Sequence, residues 1–268
     1  MQDFTGKNAV VTGAAAGIGL ALVRALAAEG ANVVVADLHA EAAEAVAAEL
    51  RALGVRSVGV GVDVSKLEEV RRLAAVAKQE LGDIHLLVNN AGIDGYRGGA
   101  IWQADDADWA WSMGVNFGGV VNGLRAFVDG MIAHGQPAHI VNTGSESGLW
   151  RATSMYGLTK HAVVALTEVL EAQLAAREAP IGVSVLCPGP VATEFFESKH
   201  RPSELEADAE GGQADRERLQ RHIEADGLPP EAVAQTLLDG IRANRLYVLT
   251  SNVTTDEVRK RAAAILGS

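Results

Sequence analysis

The sequence predicts a single α/β domain across residues 1–268, a doubly wound parallel sheet of about seven strands with helices on both faces. Three observations predict it. Short β-branched apolar runs recur along the chain with helical segments between them. The chain is 48% hydrophobic but only 4% aromatic, which suits Val-rich buried strands alternating with Ala- and Leu-rich helices better than a β-sandwich. Finally, a glycine-rich stretch joins the first run to the first helix.

The strands are expected at Asn8–Thr12, Asn32–Ala36, Val58–Val62, Ile84–Val88, His139–Asn142, Ile181–Leu186 and Leu246–Leu249. The first helix starts near Ile18, places Leu22, Val23 and Leu26 on one side, and stops at Gly30. A later helix starts at Ser65-Lys66-Leu67-Glu68, where the spacing predicts a capping box between Ser65 and Glu68.

Composition also excludes several roles. A net charge of −11 argues against a nucleic-acid backbone binder. It does not exclude a small anion held by backbone N–H groups at a helix start. The single cysteine, Cys187, rules out an internal disulfide framework and fits a reducing compartment. It follows an apolar run and reads as a small buried hydrophobe more readily than as a reactive thiol. The apolar stretch Ala9–Ala28 is interrupted by three glycines and Thr12 and has no basic leader, so it reads as strand, turn and helix and not as a membrane span. The expectation is a soluble, cytoplasmic protein with no membrane partner.

Thr12-Gly13-Ala14-Ala15-Ala16-Gly17-Ile18-Gly19 lies between the first strand and the first helix. Glycines there permit a tight turn, close approach of the backbone to a pyrophosphate, and close helix–strand packing. The helix start then offers unpaired N–H groups and a positive dipole end to phosphates. This is the Rossmann arrangement. Asp37 ends the second strand, where a carboxylate accepts hydrogen bonds from an adenosine ribose and opposes a 2′-phosphate. No Lys or Arg stands at Ala14–Ala16 or Leu38–His39, so the expected cofactor is NAD in preference to NADP. Asp63-Val64 and Asn89-Asn90-Ala91-Gly92 follow the third and fourth strands, at the sheet's carboxyl end where open α/β sheets bind ligands.

With these residues in place, the chain resembles the short-chain dehydrogenase/reductase family over essentially its whole length. The resemblance rests on the glycine-rich motif at 12–19, Asn-Asn-Ala-Gly at 89–92, Asn116, Ser145, Tyr156-x-x-x-Lys160, and Pro188-Gly189-Pro190-Val191-Ala192-Thr193 in that order. Tyr156 and Lys160 are one helical turn apart and share a face. A free tyrosine, with a pKa of about 10, is a poor base at neutral pH, and a nearby ammonium favours its phenolate. Tyr156 then exchanges a proton with an alcohol or ketone oxygen. The resemblance implies that Lys160 binds the nicotinamide ribose and that Asn116 supports a water-linked proton path from Lys160. It further implies that Ser145 hydrogen-bonds the substrate oxygen. Thr193 would bind the carboxamide beside Val191, on the bend made by Pro188 and Gly189. Thr143 and Ser147 are alternatives to Ser145, because the family's serine commonly lies 13 residues before the tyrosine, which here is Thr143. The chemistry calls for no metal, and the histidines show no ligand spacing. The resemblance also implies a homodimer or homotetramer.

Substrate contacts are expected after Gly92, between Ser145 and Tyr156, and after Thr193. These regions supply Tyr96, Leu149, Trp150, Phe195 and Phe196, with Glu146 and Arg151 as polar candidates. Such a lining suits an apolar or ring-bearing secondary alcohol or ketone, although the same rings also suit a lid or core. From Glu194 to Asp226 the chain carries ten acidic and five basic residues. This charged excursion reads as a mobile substrate lid or a solvated surface loop. The expected activity is hydride transfer between NAD(H) and a secondary alcohol or ketone. The alternatives are an NADPH-dependent reductase of carrier-bound 3-oxoacyl chains and a non-catalytic dinucleotide sensor.

Overall fold

The computed structural model describes residues 1–96, 99–195, 212–251 and 253–267. Seven parallel strands form one sheet: β1 (Asn8–Thr12), β2 (Asn32–Asp37), β3 (Ser57–Gly61), β4 (Leu86–Asn89), β5 (Ala138–Thr143), β6 (Ile181–Cys187) and β7 (Tyr247–Leu249). Their spatial order is β3-β2-β1-β4-β5-β6-β7. The order reverses between β1 and β4, so the connections leaving these two strands diverge and open a crevice at their carboxyl ends.

The inner strands β2, β1, β4, β5 and β6 are buried on both faces, which is why they read as largely apolar runs. Side chains alternate across β1. Ala9 and Val11 join a core with Leu22 and Leu26 of α1 (Gly17–Ala28), Leu50 of α2 (Ala40–Ala52) and Leu237 of α8 (Pro230–Arg242). Val10 faces the other way, toward Leu73 of α3 (Leu67–Leu81), Phe127 of α5 (Gly119–Ala133) and Leu174 of α6 (Met155–Ala175). All seven expected strands are present; β1 has the expected bounds, and no end of the others is displaced by more than two residues.

Three features depart from the sequence reading. The capping box does not form: α3 begins at Leu67, and Ser65 donates its hydroxyl to Asp63 Oδ1 at 2.7 Å. Glu69, not Glu68, reaches back, accepting the Asp63 N–H at 2.8 Å. The helix starts one residue later than Ser65-x-x-Glu68 implies, with Lys66 at the cap position, because Asp63 captures the serine. Second, part of the charged excursion is helical, as α7 (Gly212–Asp226). Its described apolar pair, Leu219 and Ile223, is too short a stripe to announce a helix, yet it faces the crevice. Residues 196–211, including Phe196 and Gly211, lie outside the described residues. Third, β7 is followed by α9 (Val253–Leu266), for which the sequence reading gave no place.

One buried polar group at the amino end of the sheet has a measurable consequence. His139 is fully buried; its Nε2–H donates to Ser184 Oγ at 2.8 Å, and that hydroxyl donates to the Arg245 carbonyl at 2.6 Å. Burial pushes the imidazole down to about 3 from 6.5, aided by the positive N-terminus. The folded state therefore refuses a proton that the unfolded chain takes up below pH 6.5, and stability falls as pH drops through the window from 6.5 to about 3. The loss should reach about 2 kcal/mol by pH 5. In parallel thermal melts, His139→Gln should lose less stability than the parent between pH 7 and pH 5. Equal losses would show that His139 is not the titrating group.

Candidate active site

The crevice beside β1 and β4 is a cavity of about 930 Å³. At one end lies the glycine-rich turn, with Gly13, Gly17 and Ile18 on its wall. Gly13 sits at φ +62°, and a Cβ there would press on the Ala91 backbone 2.8 Å away. A side chain at Gly19 would overlap the Gly13 carbonyl oxygen. Thr12 and Gly19 do not line the cavity but shape it from behind. Thr12 Oγ1 accepts the N–H groups of Asn90 and Ala91 at 3.0 and 3.1 Å, while Asn90 Nδ2 donates to the Thr12 and Gly13 carbonyls. The first turn and Asn90-Ala91-Gly92 are thereby locked into one wall.

Asp37 and Leu38 line the same end. The Asp37 carboxylate accepts the Ala15 N–H at 3.0 Å and the His39 N–H at 3.2 Å, which holds it against the turn. Asp63 and Val64 complete this wall. Burial opposes ionisation of Asp63, but hydrogen bonds from Ser65 and the Lys66 ammonium at 3.2 Å hold its carboxyl below the usual range.

At the opposite end, Ser154 caps α6 by accepting the Gly157 N–H at 3.1 Å, which fixes the first turns that carry Tyr156 and Lys160. Lys160 is fully buried; its Nζ donates to the Thr143 carbonyl at 2.8 Å and lies 5.5 Å from the centre of the Tyr156 ring. Burial pushes the ammonium down to about 8, with Cys187 opposing that shift. Burial in turn raises the Cys187 thiol to about 12, far from a reactive thiolate.

Ser145 is buried on the cavity wall in extended backbone, and its Oγ accepts the Ser147 N–H at 3.2 Å. Thr143 Oγ1 turns to Asn90 Oδ1 at 3.4 Å while its carbonyl holds Lys160. Asn116 stands apart from the cavity. It lies in a single π turn, Gly114–Gly118, fully buried; Oδ1 accepts the Ile93 N–H at 2.8 Å, and Nδ2 donates to the Ile93 carbonyl and Thr159 Oγ1. Its side chain thus fastens the chain leaving Gly92 to the helix that carries Tyr156.

Pro188, Gly189, Val191 and Thr193 form the facing wall. The Pro188 carbonyl accepts the Glu146 N–H at 3.0 Å, joining this bend to the serine turn. Gly17 and Thr193 approach so closely that a Cβ on the glycine would lie 3.2 Å from the threonine methyl. The two walls converge there on a backbone-lined cradle with a carboxylate at its far end, which fits the phosphates and adenosine ribose of a dinucleotide.

Trp150, Tyr96 and Phe195 line the end beside Tyr156, with the Phe195 ring edge-on to Tyr156 at 5.6 Å. Leu149 instead packs toward Val164, Val185 and Cys187, and Arg151 is exposed. Phe196 lies outside the described residues. Trp111, on α4 (Asp106–Met113), and, from α7, Arg218, Leu219 and Ile223 are additional lining residues that sequence reasoning missed. Trp111 and Val115 share a face at helical spacing and both reach the cavity, a signal that only the position of Asn116 gives a direction to. Asp94 and Glu146 add buried carboxyl groups to the lining. Among the described residues no group of three His, Cys, Asp or Glu is placed to hold a metal, and no helix is long and apolar enough to cross a membrane.

Residues 7–204 match the family model for short chain dehydrogenases. The chain is 32% identical to a C alpha-dehydrogenase of a Sphingobium species, an alignment covering 100% of this chain and 88% of that protein. It is 39% identical to a 1-deoxy-11-beta-hydroxypentalenate dehydrogenase of Streptomyces exfoliatus over 73% of this chain and 71% of the relative. A short chain dehydrogenase/reductase of Burkholderia phymatum, solved in complex with NAD, superposes with a TM-score of 0.93 at 38% identity, covering 99% of this chain and 96% of that one. The family model, the relatives and the superposition agree: the chain belongs to the short-chain dehydrogenase/reductase family, whose members bind a nicotinamide dinucleotide.

Proposed function

We propose that the protein is an NAD-preferring dehydrogenase of secondary alcohols, working reversibly on the corresponding ketones, with Tyr156 as the acid/base. The observation that carries this reading is the placement of Tyr156 over the buried Lys160 ammonium, in one cavity with Ser145 and the glycine-rich turn. Bound NAD supplies the acceptor for the hydride leaving the carbinol carbon. The protein's own residues do the rest. The Lys160 cation favours the Tyr156 phenolate, which takes the alcohol proton during oxidation and returns it during reduction. Ser145, fixed by the turn to Ser147, donates its hydroxyl hydrogen to the substrate oxygen. Asn116 acts through Ile93 and Thr159 and is a positioning residue. Thr193 sits where the facing wall meets Gly17 and would orient the nicotinamide end of the cofactor.

Trp150, Tyr96, Trp111 and Phe195 favour an apolar, ring-bearing substrate. The Sphingobium and Streptomyces relatives, both named dehydrogenases, support the reaction class. The NAD-bound Burkholderia structure supports the cofactor. The test is a screen of cyclic, aliphatic and aryl secondary alcohols with NAD and NADP side by side, following absorbance of the reduced cofactor. Turnover of ring-bearing secondary alcohols with NAD is expected; oxidation of none of these classes with either cofactor would overturn the reading.

Cofactor choice rests on Asp37. Its carboxylate is pinned by two backbone N–H groups, so it cannot swing away from a 2′-phosphate without breaking them. Asp37→Ala should narrow the ratio of kcat/KM for NAD over NADP by at least about tenfold, or roughly 1.4 kcal/mol. A parent enzyme that works better with NADP would refute the assignment.

A further inference from the structure

The cavity wall between Ser145 and Tyr156 is made by a short irregular run, 149–154, that carries Trp150. Its beginning hangs from the serine turn: the Leu149 and Trp150 N–H groups both point to the Glu146 carbonyl, at 2.9 and 3.3 Å. Its end is fixed by Ser154 capping α6. Between these anchors one tie comes from the far end of the chain. Arg261, on α9, donates Nη1–H to the Leu149 carbonyl at 3.0 Å, across 112 residues of sequence. The Leu149 side chain is meanwhile seated against Val164, Val185 and Cys187, so the residue is held by its carbonyl from outside and its side chain from inside. A guanidinium-to-carbonyl bond is charge-assisted and stronger than a neutral one.

The same C-terminal segment touches the opposite wall. Thr250, just after β7, accepts the Gly189 N–H at 3.0 Å through its Oγ1. The stretch from β7 through α9 therefore braces the Pro188–Gly189 bend with Thr250 and the Trp150 wall with Arg261. The first brace lies on the cofactor side and the second on the substrate side.

We propose that Arg261 is a positioning residue for substrate selection: by holding the Leu149 carbonyl it sets how far Trp150 stands into the cavity, and so which secondary alcohols fit. The inference rests on the substrate end assigned above. Arg261 is not on the cavity wall and acts through Leu149. Loss of the tie frees the wall to move outward. A bulky alcohol that packs on Trp150 then loses binding, whereas a small one that reaches only Ser145 and Tyr156 does not.

The test compares the parent with Arg261→Met, which keeps the aliphatic stem, and Arg261→Lys, which keeps a cation and a donor. With a ring-bearing secondary alcohol, Arg261→Met should raise KM by about tenfold while kcat stays within about twofold. With 2-propanol, KM should be unchanged, and NAD affinity measured by calorimetry should be unchanged. Arg261→Lys should recover part of the lost selectivity. A second readout needs no turnover: amide exchange by mass spectrometry should speed up across residues 149–153 in Arg261→Met, with α6 unaffected. An unchanged KM ratio between the two alcohols would overturn the proposal. So would a uniform fall in kcat, NAD affinity and thermal stability, which would mark Arg261 as a general anchor. If no alcohol is oxidised by the parent, the activity reading fails, and unchanged exchange across 149–153 still overturns the role of Arg261 separately.

Discussion

Tyr156→Phe is expected to lower kcat for alcohol oxidation by about a thousandfold, within the range that loss of a positioned acid/base produces. The substitution removes one oxygen from a ring whose edge contact with Phe195 and position beside Lys160 depend on the ring itself. The backbone cradle proposed for the cofactor, at Gly13, Gly17 and Thr193, does not involve the phenol. NAD affinity should therefore change by less than about threefold, and KM by little, because the phenol acts on a proton in flight more than on the bound ground state. Kinetics with a confirmed substrate, alongside calorimetric titration of NAD, check both halves. A variant retaining half of the parent turnover would remove Tyr156 from the mechanism.

The second large effect separates function from stability. Lys160→Met should lower turnover by at least about a hundredfold, since it deletes the cation that favours the Tyr156 phenolate. The same change should leave thermal stability equal to or above that of the parent at pH 7. Burial holds the folded Lys160 near 8 against 10.5 in the open chain, so keeping it charged at pH 7 costs about 3 kcal/mol. Removing the charge relieves that penalty and leaves the Thr143 carbonyl without its donor, a loss of about 1–3 kcal/mol. The sign across pH follows. Between about 8 and 10.5 the unfolded chain binds a proton that the folded one has released, so the parent gains stability as pH rises through that window. The methionine variant lacks this gain. Thermal melts at pH 7 and pH 9.5 distinguish the two, and a variant much less stable than the parent at pH 7 would show that the buried ammonium is a structural asset.

The sheet was legible in the sequence because a parallel strand buried on both faces is written as an unbroken β-branched run. Val33–Val35 and Val10–Thr12 are examples. Asp37, Tyr156 and Lys160 were legible because each follows a strand or helix landmark at fixed spacing. The lining residues on α7 were not, because Leu219 and Ile223 are isolated apolar positions among charges and acquire meaning only from the cavity they face. Asn116 presented another limit. Sequence order marks it, but the π turn that directs its amide to Ile93, and away from the cavity, is a backbone irregularity that side-chain periodicity does not encode. Leu149 and Trp150 are neighbours of similar apolar character, and only the packing against Cys187 decides that the leucine turns inward while the tryptophan meets the cavity.

The placement of β1 in the interior of the sheet, third of the seven strands, has a consequence during synthesis. All five of its residues are buried, one edge pairing with β2 and the other with β4. The ribosome delivers β2 directly after α1, but β4 emerges only after α2, β3 and α3 have been made. For that interval the nascent sheet presents an apolar strand with an open row of backbone donors and acceptors, the feature on which neighbouring chains pair. Soluble yield should then depend on how quickly Leu86–Asn89 arrives and how crowded the translating chains are. Slower, cooler expression at low chain density is the remedy that this topology prescribes.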